Sequence, residues 1–475
     1  MTQPTVRTLE GSIKTIPLEM LAMLRGKLRG TAVLPGEDGY DAARTLWNAM
    51  IDRRPGLVVR CLGAADVIQA VKLARDQGLL FSVRGGGHNI AGNAICDGGL
   101  LIDLSLMKSV QVDPLSRTAL VEPGATLADF DKEAQAFGLV TPLGINSTTG
   151  VAGLALGGGF GWTTRKFGLT VDNLISAKVV TADGELVRVS ERERSDLFWA
   201  LRGGGGNFGV VTSFEFKLHA LGPQVLSGLL VHPLAAAADL LQQYRRVVAE
   251  APDELTVWAV MRKAPPLPFI AAEWHGKDVL IFAACHSGDM AGGDKAMKPL
   301  RALGKPIADV ISPHPFVAWQ AAFDPLLTPG ARNYWKSHDF AELSDSAIRV
   351  IVDAASHLPS PECEVFIAHV GGAMGRVAPD ATAWANRNAH FVMNAHARWR
   401  DAAQDAICIA WARQLSEGTA PFASGSVYVN FMPDDEPGRV EKAYGENYRR
   451  LSEIKHRYDP KNLFRMNQNI RPSGG

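Results

Sequence analysis

Apolar and polar positions along the first part of the chain predict one element after another. Residues 17–28 read as a short helix, and the nearly all-apolar run at 57–62 as a buried strand. The stretch 64–77 is amphipathic with helical spacing and is stopped by Gly78, after which 79–83 is apolar again. The predicted order is strand, helix, strand, leading straight into a glycine loop at Arg84. Residues 99–104 predict another strand, running to the turn-rich Asp113-Pro114. A helix at 196–202 precedes a further glycine cluster, and the alternating stretch 210–218 predicts the strand after it. Beyond Gly222 the glycine clusters thin out, and joints such as Ala264-Pro265-Pro266-Leu267-Pro268 separate helical from strand-like pieces, which predicts a different domain. From about Tyr428 turn and strand chemistry returns. No fixed-period repeat or low-complexity tract interrupts this order.

At 475 residues the chain exceeds what one hydrophobic core organises, so two domains, or one with a large insertion, are expected. Lys plus Arg and Asp plus Glu both number 49, so no global field draws the protein to nucleic acid or to an anionic membrane. Its ligand must be recognised locally. Residues 1–29 lack the apolar core of a secretory leader, and no later run of about 18 apolar residues spans a bilayer, so a cytoplasmic protein is expected. The five cysteines are scattered and odd in number, which predicts free thiols.

The chemistry begins at Arg84-Gly85-Gly86-Gly87-His88-Asn89. Glycines let backbone N–H groups close on a phosphate, and His88 sets a nucleophilic imidazole beside them. Alone, the triplet is equally well a plain loop and His88 a satisfied histidine. A second dense segment, with Gly150, Gly153, Gly157, Gly158, Gly159 and Gly161, tips the balance, because several such loops can line a long diphosphate from different sides. The fingerprint G-x-G-x-x-G occurs at Gly204, Gly206 and Gly209, but after a helix and before a strand. A dinucleotide site needs the reverse order, so these glycines mark either a tight connection or a close approach of backbone to ligand. No metal motif is present, since His390 and His396 lack i, i+4 spacing, and no G-x-S-x-G elbow supports acyl transfer.

These residues resemble the vanillyl alcohol oxidase superfamily, and within it the berberine bridge enzyme-like FAD-linked oxidases of bacterial type. The likeness runs over nearly the whole chain. It rests on the loop 84–89, Pro123-Gly124, Thr148-Thr149-Gly150-Val151-Ala152-Gly153-Leu154 with Gly157-Gly158-Gly159, Asn207-Phe208-Gly209-Val210-Val211, Tyr428-Val429-Asn430 and Asn467-Gln468-Asn469. It implies an α+β protein with a bipartite PCMH-type FAD-binding domain, residues 1–220 plus 420–475. Residues 221–419 would be an inserted substrate domain on an antiparallel sheet flanked by helices. The implied FAD contacts are Arg84, Gly85, Gly86, Gly87, His88, Asn89, Pro123, Gly124, Asn146, Thr148, Thr149, Gly150, Gly153, Leu154, Gly158, Gly159, Gly209, Val211, Tyr428, Asn430, Asn467 and Asn469.

By the same resemblance His88 bonds to the flavin 8α-methyl group, raising its potential. Relatives add a thioether through a cysteine whose position here is Asn146, so a single linkage is implied. Three residues on, Thr149 occupies a gate where a small side chain admits dioxygen. Tyr428 faces flavin and substrate, either as a base, if a neighbouring cation lowers its pKa, or as packing under the ring. The strand 363–370 matches one whose inward face carries the base. Alternation puts Glu364, Phe366 and Ala368 on that face, so Glu364 is the carboxylate candidate, with a structural salt bridge as its other reading, and His369 is on the opposite face. Tyr334, Trp335 and Lys336 either shape an aromatic pocket or fill the core, and Trp335 is assigned to the core.

The implied function is an oxidase that takes hydride from an alcohol, phenol or amine, of aromatic type, and passes electrons to O2 with release of H2O2. Oxidation or oxygenation of a polyketide-like metabolite is an alternative. A non-catalytic flavin-fold binder of an aromatic compound is another, against which His88 argues. The expected assembly is a monomer or homodimer.

Overall fold

The computed structural model describes residues 3–474. Near the N-terminus, Leu57–Arg60, Leu100–Asp103 and Phe81–Arg84 form a parallel core, and Thr31–Val33 adds an antiparallel edge. Val67, Ala70, Val71 and Ala74 of the helix Ala64–Gln77 fall at helical spacing and are fully buried against Leu57, Val59, Ile102 and Phe81. Gly78 ends that helix at φ 63°, in the left-handed region that glycine enters without steric cost. The return strand then delivers Arg84 and the glycine loop to the carboxyl end of the parallel strands, where open α/β sheets place ligands.

A five-stranded antiparallel sheet follows, in the order Leu186–Ser190, Leu174–Val180, Val210–Lys217, Thr118–Val121, Val110–Asp113. Phe214 and Phe216 alternate inward from it into a core shared with Phe130, Phe198 and Phe208.

The third sheet is antiparallel throughout, and its strands lie between Gln224 and Trp399. One face is covered by the helices Ala237–Ala249, Asp345–Ala355 and Asp405–Thr419, whose Leu241, Tyr244, Ile348, Ile351 and Trp411 meet Val257, Ala259, Met261, Val365, Ile367 and Met393. The alternate residues, among them Trp258, Phe366 and Ala368, face the other way, toward the glycine loops. This α+β arrangement places an antiparallel sheet and the glycine-bearing units on opposite sides of one cavity.

After Ala423 the chain rejoins the N-terminal half. Leu451 and Ile454 of the helix Asn447–Tyr458 pack with Leu197 and Phe198, while Leu463 and Phe464 enter the core of the first sheet. The Tyr-x-Asn segment is not the strand it resembles. Phe431 N–H closes onto the Tyr428 carbonyl at 2.9 Å and the Asn430 amide folds back onto the Tyr428 hydroxyl, giving a 3-10 turn that lies beside the strand Arg332–Phe340 without pairing to it.

One ion pair ties this segment down. Lys455 and Asp459 have no exposed side-chain surface, and Lys455 Nζ donates to Asp459 at 2.7 Å, to the Asn207 carbonyl at 2.6 Å and to the Phe464 carbonyl at 3.2 Å. Burial pushes the Lys455 pKa down while Asp459 holds it up. Asp459 also accepts from the amides of Leu463 and Phe464. Asp459→Ala leaves a buried ammonium unpaired and should cost about 3–5 kcal/mol. Asp459→Asn, whose one acceptor oxygen can still take the Lys455 ammonium and the Phe464 amide but not the Leu463 amide, should cost less, and urea unfolding of the three proteins measures the order.

Candidate functional site

The glycine loops meet at a backbone-to-backbone contact. A Cβ on Gly86 would stand 2.5 Å from N and Cα of Gly150, and one on Gly150 would stand 2.5 Å from Gly86 N, so neither position admits a side chain. Gly85 presses the same way on the Pro123 carbonyl at 2.8 Å. Among the described residues, none of the amides from Gly85 to Asn89 donates to a protein acceptor. Five consecutive N–H groups are therefore left without a protein acceptor on a loop whose first residues must be glycine, which is the donor set of an anion-binding nest.

That nest opens into a cavity of about 350 Å³. Its floor comes from 85–89, 144–156 and 205–211, its far wall from the antiparallel sheet, and its end from 428–431 and 464–468. The loop amides and the unpaired, buried Tyr444 hydroxyl suit a long polar ligand lying along the floor, and the glycine cradle leaves room for it.

His88 is half-buried at the mouth of this floor. Trp47 N–H donates to the Gly87 carbonyl at 3.2 Å, and the indole stacks on the His88 ring at 5.0 Å between centroids. Thr148 Oγ donates to Asn146 Oδ1 at 2.8 Å and so accepts from His88 Nε2–H at 3.2 Å. This relay assigns the proton to Nε2 and leaves the Nδ1 lone pair free. Burial lowers the His88 pKa to about 4, so the ring is neutral. Asn146 is thus the anchor of the relay.

Most of the predicted contact residues line the cavity. Six do not. The Arg84 guanidinium turns away to the Ala43 carbonyl. Gly124 fits its backbone under the Leu104 carbonyl, 2.2 Å from where a Cβ would stand. Thr148 acts through His88. Gly158 packs against Trp384, Gly159 donates its amide to the Tyr428 hydroxyl at 3.2 Å, and Asn469 is set back behind the wall. Thr149, by contrast, borders the cavity directly.

Tyr428 also borders it but is no base at neutral pH. Among the described residues no cation lowers its pKa. Burial pushes its pKa up to about 12, and the carboxyl of Asp339 pushes the same way, although the amides of Asn430 and Gly159 donate to the oxygen. Glu364 proves to be both a cavity residue and a salt-bridge partner: Arg262 Nη1 donates to Oε2 at 2.7 Å and His396 Nδ1–H to Oε1 at 3.0 Å. Despite burial, Arg262 and His396 hold its pKa down at about 2, too low for efficient proton abstraction. Trp335, assigned to the core from sequence, instead lines the cavity, edge-on to His396 at 4.6 Å and to Trp47 at 5.9 Å. His369 is on the other face of its strand and takes a hydrogen bond from Arg165 at 2.9 Å.

Sequence reasoning missed Trp47, Arg262, Tyr444 and His396. Only the strand pairings reveal the last of these, since His396 faces Glu364 across one ladder and Trp335 across the next. No helix among the described residues is long and apolar enough to cross a membrane, and no group of three or more His, Cys, Asp or Glu residues among them could hold a metal.

Comparison with known proteins places this geometry. The FAD binding domain family matches residues 55–190, and the berberine and berberine-like family matches residues 427–471. An FAD-linked oxidoreductase of Dictyostelium discoideum is 33% identical over 432 residues, covering 90% of this chain and 91% of that protein. The (R)-6-hydroxynicotine oxidase of Paenarthrobacter nicotinovorans is 33% identical over 460 residues, covering 94% of this chain and 98% of its own. The crystal structure of 6-hydroxy-D-nicotine oxidase from Arthrobacter nicotinovorans matches with a TM-score of 0.85 at 31% identity, covering 94% of this chain and 98% of that one.

The contact between Gly86 and Gly150 gives a direct test. Gly86→Ala forces the loops apart at an overpacking cost of about 1–3 kcal/mol, so affinity for FAD should fall roughly tenfold to a hundredfold. Titration of FAD into the unliganded protein measures it. Gly26→Ala, where an added Cβ meets nothing within 4 Å, is the matched control and should leave affinity unchanged.

Proposed function

The chain belongs to the berberine-like FAD-linked oxidoreductases, and on that premise we propose that it is an oxidase of small aromatic alcohols, phenols or amines, with FAD linked once through His88. When bound, the flavin supplies the hydride acceptor. The unpaired amides of 85–89 would hold the diphosphate, and the relay from Asn146 through Thr148 would keep the His88 Nδ1 lone pair directed outward for the bond to the flavin. Asparagine at 146 has no thiol to offer, which supports a single linkage.

The observation that carries the reading is the continuity of the cavity from the amide nest to an aromatic wall. Trp258, Phe366 and Phe431 of that wall pack on one another, with Trp258 and Phe366 stacked at 5.5 Å and Phe366 and Phe431 edge-on at 5.8 Å. A flat aromatic substrate fits between such faces and the flavin, excluding water from the reacting atoms. Thr149, small and on the cavity border, leaves space for dioxygen.

Two measurements check this. Wild-type protein should stay yellow after acid precipitation, whereas His88→Ala should give a colourless pellet; loss of colour from the wild type would overturn the linkage. A peroxide screen of aromatic alcohols, phenols, cyclic amines and sugars should select aromatic compounds. With the selected compound, Thr149→Leu should slow reoxidation by air roughly tenfold, about 1.4 kcal/mol of barrier, and leave anaerobic reduction unchanged. Equal reoxidation rates in the two proteins would remove dioxygen gating from this residue.

A further inference from the structure

Four residues on adjacent strands fall in one register row of the large sheet. Arg262 faces Glu364, Glu364 faces His396, and His396 faces Trp335. All four border the cavity. The two ends differ in what they leave unsatisfied. Arg262 is spent on Glu364, and Glu364 accepts from both neighbours. His396 gives its Nδ1 proton to Glu364, so Nε2 is an acceptor, and among the described residues it has no partner although it is buried. Trp335 Nε1, a donor only, is likewise buried and unpaired.

An acceptor and a donor left orphaned on neighbouring residues, with ring centroids 4.6 Å apart, cost stability unless something fills both. One group does so with a single atom: a hydroxyl oxygen or a neutral amine nitrogen. It accepts from the indole N–H and donates its own hydrogen to the imidazole. Both residues border the cavity, with the Trp335 ring held edge-on by His396, Trp47 and Phe431, so such a group reaches them from the cavity side. The row then continues through Trp47 to His88, so the reacting group and the flavin-linking residue share one chain of contacts.

We propose that His396 is the base of the reductive step, that Trp335 and His396 together select a substrate by its hydroxyl or neutral amine, and that Glu364 is a positioning residue for His396. This rests on the oxidase reading above. In the step, the substrate O–H or N–H bond breaks and its proton passes to Nε2. In an alcohol, or an amine with an N–H, the C–H bond on the carbon bearing the heteroatom would break with its electron pair leaving as hydride to the bound flavin, and the C=O or C=N double bond would form from the pair left on oxygen or nitrogen. Glu364 stabilises the imidazolium, and the indole N–H steadies the negative charge growing on the heteroatom.

Three charged groups face His396: Glu364, whose carboxylate raises its pKa, and Arg262 and Arg398, which lower it. Burial adds the largest push, also downward, so the ring is neutral and able to accept at pH 7. The base form is present above the imidazole pKa and is lost as pH falls through it. Removing the Glu364 charge must move that loss to lower pH.

The test has two arms on the FAD-loaded protein. The first needs no substrate: with nitrogen-15-labelled histidine, the resonances missing from His396→Gln should show a protonated Nδ1 and a bare Nε2. Glu364→Gln leaves one acceptor oxygen, which Arg262 claims, and turns its NH2 toward His396 Nδ1, so in that variant the proton should move to Nε2 and the ring should titrate at lower pH. In the wild type, a proton on Nε2, or an imidazolium at pH 7, overturns the proposal. The second arm uses the compound selected by the peroxide screen. His396→Gln should slow anaerobic flavin reduction by roughly a hundredfold to ten-thousandfold and abolish its acid limb. Trp335→Phe should weaken binding with the limb in place, and the O-methylated alcohol, or the amine methylated until no N–H is left, should not be oxidised. An unchanged pH profile in His396→Gln overturns the proposal. A screen that yields no substrate counts against the oxidase reading alone, because the tautomer arm is independent of it.

Discussion

Everything at this site depends on two backbones touching at Gly86 and Gly150. That contact holds the loop after the parallel strands against the loop that opens the helix Val151–Leu156. With side chains excluded there, the amides from Gly85 to Asn89 have no protein acceptor among the described residues, which leaves them to water or a ligand. A run of donors without a protein partner suits a loop that an anion compensates. His88, part of that floor, is held by Trp47 on one face and by Thr148 at one nitrogen.

The opposite wall obeys a different constraint. Strand alternation sends one set of side chains into an apolar core under three helices and the other toward the cavity, and it makes no exception for charge. Arg262, Glu364 and His396 are consequently buried together, and each is tolerable only because the next neutralises or hydrogen-bonds it. The same row explains why Glu364 is a poor base while lying in the right place. Its charge is committed to Arg262 and His396, and the free lone pair has moved one strand along.

Joining the two walls is the work of the C-terminal segment. Tyr428 and Asn430 cap the cavity, and the Lys455–Asp459 pair pins the chain to the carbonyl of Asn207 in the third glycine cluster. The segment forms no strand, yet it contributes to the hydrophobic cores of the antiparallel five-stranded sheet and of the first sheet. Closure of the cavity is therefore a long-range property, set by contacts between residues more than two hundred positions apart.

Local patterning by itself determined a good deal. The helix 64–77 with its glycine stop, the strands on either side, the inward face of Glu364, Phe366 and Ala368, and the glycine loop beside His88 follow from side-chain period and backbone freedom, which are properties of short stretches. The ordered motifs also marked the family, because loops that approach a cofactor restrict residue type wherever they occur. Only the tertiary structure decided which polar groups act together. His396 carries no signal in its own neighbourhood, Trp335 looks like any core tryptophan, and Trp47 lies far from the loop it covers. Their roles arise from strand register and from packing across the cavity, and whether a buried nitrogen is satisfied or left bare depends on partners that no local stretch contains.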